Sequence, residues 1–319
     1  MVKQRILLVC IFILLLIASL FIVSYSNFIP ELLKGNPDAL LILTHSSIPR
    51  TITIVLTAIS LSVSGVIMQA IGRNKFISAS TIGTTDAALL GILIGVIAFP
   101  KLNNLARLGF GFGFALISTF VFVLLMQKIK FKNIIFVPLM GMMYGALIGA
   151  ITTIIAQQAG MEQILAMLRQ ASFGHINSQN FRIVLFVIPA LIFAILYATK
   201  FNIVMLGEDF SKNLGVNYRL VIIIGLCIVS IISASTFIVV GPIPFVGLIV
   251  PNLVTLYYGE NVKKNLFDVA LFGGILVLLV EIISRLLVYP YLVPISLTMG
   301  IVGAIIFAVL LMWRMRRGS

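Results

Sequence analysis

Apolar runs of roughly 17–22 residues recur along this chain, with short polar segments between them. A helix rises 1.5 Å per residue, so about 20 apolar residues span a hydrocarbon core ~30 Å thick. Ten such runs can be drawn: Ile6–Val23, Ile52–Ile71, Thr81–Phe99, Leu108–Met126, Ile134–Ile155, Ile183–Thr199, Leu220–Val240, a stretch near Phe245–Tyr258, Val269–Val288 and Pro294–Trp313. Composition agrees, with 61% hydrophobic and 10% charged residues; soluble domains run about 45–50% apolar and about 25% charged. The first run is longer than the ~7–15 residues of a signal-peptide core, and no small-residue cleavage site follows it, so it reads as a span. The chain is therefore predicted to be an all-α integral membrane protein of about ten transmembrane helices, forming one domain over residues 1–319.

The net charge of +13 does not point to nucleic acid, because the charges are spread through loops between apolar runs rather than clustered on one face. They orient the chain instead. With both termini cytoplasmic, 15 of the 22 Lys and Arg residues fall on the inner side and 7 on the outer side or outer helix ends, as the positive-inside rule requires. Cys10 and Cys227 lie within apolar runs, and His45 and His175 sit in separate polar loops. Neither pair suggests a disulfide framework or a metal site, which needs clustered ligands.

Three segments are more than connectors. The outer stretch 157–182 contains an apolar-rich piece, Gln163 to Leu168, read as a short surface helix. The stretch Gly241-Pro242-Ile243-Pro244-Phe245-Val246-Gly247 puts two prolines and two glycines at membrane depth, where irregular backbone survives only if protein or a water-filled cavity satisfies it. The third is the inner segment 200–219. There Leu206, Phe210, Leu214 and Tyr218 recur every four residues on one helical stripe. Glu208 and Asp209 suit a helix start, and Gly215 a helix end. A small hairpin of this kind docks into a partner's groove or serves as a plain structural loop; its acidic polar face argues against a lipid surface.

At this segment the sequence resembles the permeases of bacterial ATP-binding-cassette importers for iron–siderophores, vitamin B12 and haem. Gly207-Glu208-Asp209 with Leu214-Gly215 is similar to their coupling loop between spans six and seven. Ile48-Pro49-Arg50, Ser64-Gly65 with Gln69, Arg73-Asn74, and the block from Gly241 to Pro251 match further family patterns over nearly the whole chain. Lys75 stands where the family commonly has proline, Asn252 where it commonly has histidine, and Leu292 to Ser296 replace an acidic-Leu-Pro-x-Gly pattern. The overall look is nearest the siderophore branch, with vitamin B12 or haem as the alternative cargo.

The resemblance implies short cytoplasmic coupling helices built from Gly207, Glu208, Asp209, Phe210, Leu214 and Gly215. It implies a second permease, two cytoplasmic ATPase subunits that use ATP-Mg, and an external binding protein that docks at Arg50. Read from the residues alone, Arg50 equally suits an arginine snorkelling at the outer interface. The chain has no Gly-x-x-x-x-Gly-Lys-Ser/Thr loop, so it is expected to bind no cofactor and hold no catalytic residues. In the family the fifth and tenth spans line the pathway, which makes Gly141, Gly145, Gly300 and Gly303 candidates; small residues at such spacing more often mark close helix packing.

Ionisable residues within the spans are Asp86, Glu281 and Arg285, functional candidates by virtue of their depth. Glu281 and Arg285 are spaced to pair on one helix, whereas Asp86 either meets a backbone amide or faces the pathway. An ion-coupled carrier would need a longer relay of acidic or histidine residues, and an intramembrane enzyme a buried catalytic constellation. The sequence offers neither.

Overall fold

A computed structural model describes residues 2–22, 28–101, 103–128, 136–179, 181–288 and 291–317. In chain order its helices are α1 (Val2–Phe21), α2 (Phe28–Leu33), α3 (Pro37–Ile42), α4 (Ile48–Gly72), α5 (Thr84–Ala98), α6 (Asn104–Lys128), α7 (Phe136–Gln158), α8 (Glu162–Arg169), α9 (Val187–Val204), α10 (Glu208–Asn213), α11 (Tyr218–Val239), α12 (Val246–Tyr258), α13 (Val262–Leu286) and α14 (Ile295–Arg317). Ten of these match the ten apolar runs. Eight are long and apolar enough to cross a membrane, while α5 and α12 are shorter apolar helices. At 15 and 13 residues they reach roughly 20 Å. Each therefore begins part-way into the bundle, and irregular backbone at 73–83 and 240–245 completes the crossing.

Helices α4 and α11 form the centre: 72% of the apolar window is buried in each, against 6% in α1. Small residues make that possible. Along α4 the hydroxyls of Thr53, Ser62 and Ser64 bond back to the carbonyls of Pro49, Ala58 and Leu61 at 2.7–2.8 Å, so polar side chains are buried without needing a neighbour's help. A Cβ on Gly65 would overlap the carbonyl of Gly247, and one on Gly273 would overlap the hydroxyl of Ser62. Backbones approach this closely only over glycine.

The second span starts earlier than its apolar run suggests. From Pro37 to Gly72 the helix is continuous, through a π-helical turn at Leu43–Ser47 where the amide of Ile48 donates to the carbonyl of Leu43. That wider turn stands next to Pro49, which has no N–H to donate. The sixth span likewise runs on to Val204, leaving a hairpin shorter than the 200–219 segment.

The two halves repeat one arrangement. Gly83 (φ +75°) starts α5 and packs on Gly145 of α7; Phe245 (φ +67°) starts α12 and packs on Gly303 of α14. Helix α5 runs away from the coupling end and α12 toward it, as inverted-topology repeats require.

Candidate coupling and docking sites

Helix α9 ends at Val204, and α10 follows after Gly207, whose φ of +108° only glycine adopts readily. The hydroxyl of Ser211 donates to the carbonyl of Gly207 at 2.7 Å and fixes this corner. Gly215, at φ +72°, closes α10 with its amide on the carbonyl of Lys212 and that of Val216 on Ser211, the glycine-terminated end expected of it. Asn217 then caps α11, accepting from the amide of Leu220. One six-residue helix and the first turn of α11 thus stand where two short helices were expected.

Leu206, Phe210 and Leu214 are 55%, 63% and 58% exposed at an otherwise charged end, but the expected single helical stripe is broken, since Leu206 precedes the Gly207 corner and Leu214 caps the far end of α10. Tyr218, the fourth residue of that spacing, is half-buried. Glu208 pairs with Lys212 at 2.9 Å. The hydrogen bond from Lys212, then its charge, hold the Glu208 carboxyl below the usual range, so it is ionised at neutral pH. Asp209 is exposed beside it.

The same end of the bundle is tied by bonds between distant segments. Lys75 pairs with Glu260, and Asn202 donates to Asn261 at 3.0 Å while accepting from the amide of Val262. Arg5 forms a two-pronged ion pair with the fully buried Asp268 at 2.6 and 3.0 Å, and its guanidinium lies 5.6 Å from the ring centroid of Tyr258. Sequence reasoning missed Asp268. It sits at the edge of an apolar run, and its partner is 263 residues away. Two of the positions that depart from the family pattern touch: Asn252 donates to the carbonyl of Lys75 at 2.7 Å.

At the opposite end, Arg285 pairs with Glu281 at 2.6 and 2.7 Å. It also donates to the carbonyls of Ser19 and Ile22 at 2.8 and 2.6 Å, covering the open carbonyl end of α1 with a cation. Arg50 completes the group, 3.2 Å from Glu281. It does not snorkel outward: it is 8% exposed and turned into the bundle, because Glu281 offers a counter-charge that the lipid interface does not. Two buried guanidinium groups thus share one carboxylate.

The glycine candidates separate. A Cβ on Gly141 would overlap the carbonyl of Thr81; one on Gly145 would come within 2.9 Å of the Asp86 carboxylate; one on Gly303 within 2.8 Å of Phe245. These three allow close packing, and Gly300 faces open space. Asp86 lies between α5 and α7. Its carboxylate and the Arg169 guanidinium of α8 stand at the same distance, 4.0 Å, from the point a Gly149 Cβ would occupy. Arg169 itself donates to the carbonyl of Gly149 and the hydroxyl of Thr153.

A bundle of apolar helices with half-length members starting inside it, and a hairpin presenting exposed apolar side chains at one end, defines a multi-pass membrane protein with a surface suited to a partner. The chain belongs to the FecCD transport family, whose model matches residues 6–313. It is similar to the petrobactin import system permease protein YclN of Bacillus subtilis, 40% identical over 84% of this chain and 85% of that one. It is also similar to the ferric-anguibactin transport system permease protein FatD of Vibrio anguillarum, 36% identical over 87% and 88%. Its fold matches that of a metal-chelate type ABC transporter solved in an inward-facing conformation (TM-score 0.80, 23% identity, 98% of this chain and 99% of the other). The chain is accordingly the permease subunit of an ABC transporter in the cell membrane, and not an enzyme.

Proposed function

We propose that this permease carries a ferric siderophore into the cytoplasm, driven by ATP-Mg hydrolysis in two cytoplasmic ATPase subunits. The observation that carries the reading is the α10 hairpin, with Leu206, Phe210 and Leu214 each more than half exposed. A transport subunit whose sequence has no phosphate-binding loop needs a surface through which a motor can act, and exposed apolar side chains on a short helical hairpin are suited to a partner's groove. The siderophore assignment draws on the relatives that handle petrobactin and ferric anguibactin. The pathway forms between this chain and a second permease, either a copy or a paralogue. An external binding protein delivers the chelate over the outer end of α4, where Arg50 and Arg285 leave one positive charge in excess for an acidic side chain. For Arg50 to serve there it has to leave Glu281.

Radiolabelled iron uptake in a deletion strain, with a panel of ferric siderophores, haem and vitamin B12, tests the cargo. Uptake of at least one ferric siderophore is expected to fall to background and return with the restored chain. Loss confined to haem or vitamin B12 contradicts the assignment.

A further inference from the structure

Several sequence patterns converge at one place that the coupling surface leaves unused. Gln69, Arg73, Asn74 and Pro251 line a cavity of about 230 Å³ at the coupling end, between the ends of α4, α9, α12 and α13. Arg73 caps α4 in the left-handed region, at φ 49° and ψ 35°. Glycine or asparagine would hold that conformation at lower cost, so an arginine there points to a use for its side chain. The guanidinium reaches Gly207: a Cβ added to Gly207 would stand 3.2 Å from Nη1 and 3.4 Å from Cζ of Arg73. It makes no ion pair among the described residues, and it stands just beyond the C-terminal end of α9, the negative end of that helix dipole.

The position matters because the main packing of α10 is on α9 and α11, its own neighbours in the chain, whereas α4 packs on α9, α11, α12 and α13. Arg73 is a polar point of contact between the most central helix and the Gly207 corner of the hairpin, beside the apolar packing of Met205, Val216 and Tyr218 on the core. We propose that Arg73 is a positioning residue that carries displacement of the hairpin into α4 and the irregular segment 73–83. The proposal rests on the coupling role of the hairpin.

The test uses the assembled transporter, this chain with its ATPase subunits in proteoliposomes, with Cys10 and Cys227 replaced by alanine. Ser80→Cys then reports on the 73–83 segment through its rate of maleimide labelling. With Arg73 in place, ATP and vanadate are expected to change that rate by at least about five-fold, the lower end of ordinary coupling between sites. In Arg73→Gly, which keeps the left-handed cap, the rate is expected not to respond although the ATPase subunits stay bound and hydrolyse ATP. Arg73→Lys is expected to recover part of the response, and Arg73→Asn, a second variant suited to the cap, to behave as the glycine variant. A full response in Arg73→Gly overturns the relay, as does loss of the ATPase subunits from that variant alone. If the unaltered chain fails to retain ATPase subunits, the coupling reading itself fails.

Discussion

Glu281→Gln is expected to destabilise the permease by about 3–5 kcal/mol, the usual effect of removing one partner from a buried ion pair. The amide keeps the shape of the side chain but removes the one negative charge that Arg50 and Arg285 share at 3.2 and 2.6 Å. Two guanidinium groups, 8% and 4% exposed, would then face each other in a weakly polar interior. The damage would spread to α1, since Arg285 also holds the carbonyls of Ser19 and Ile22 and α1 is otherwise the least buried span. Thermal unfolding in detergent measures the loss. Adding Arg50→Met should restore part of it, because the surplus charge leaves with the arginine, and residues in one network are not additive. A Glu281→Gln chain that melts with the unaltered protein would show that the cluster contributes little.

Glu208→Arg is expected to lower iron uptake at least about ten-fold, equivalent to ~1.4 kcal/mol of lost coupling, with a normal amount of protein in the membrane. The fold should tolerate it, since the side chain is about half exposed and its one ion pair among the described residues, with Lys212, is a solvent-screened surface pair that contributes little to stability. The surface should not. The substitution puts a cation at the positive end of α10 beside Lys212, and reverses the charge in the hairpin that exposes Leu206, Phe210 and Leu214. Uptake at the normal rate, at normal membrane levels, would remove Glu208 from the coupling surface.

What the sequence made legible was whatever repeats locally. Span length is a property of consecutive residues, so ten apolar helices could be counted. The four-residue spacing of Glu281 and Arg285 announced their pairing, and Gly215 marked the end of α10 because a positive φ is a local demand. Contacts between remote segments left no such mark. Arg5 reads as one more inner-loop cation until the fold brings it to Asp268, and Arg50 as an interfacial arginine until Glu281 turns it inward. The early start of the second span was hidden by His45, Ser46, Ser47 and Pro49, which look like a boundary; a π turn over Leu43–Ser47 carries the helix into α4. The seating of Arg73 on Gly207 likewise exists only once α4 and α9 are packed side by side.

The account depends on the α10 hairpin facing the cytosol. A single cysteine at Phe210, 63% exposed, placed in a chain without Cys10 and Cys227, can be offered a membrane-impermeant maleimide from either side. Labelling is predicted in inverted vesicles and not in intact cells; labelling of intact cells would put the hairpin on the outer face and contradict the importer assignment.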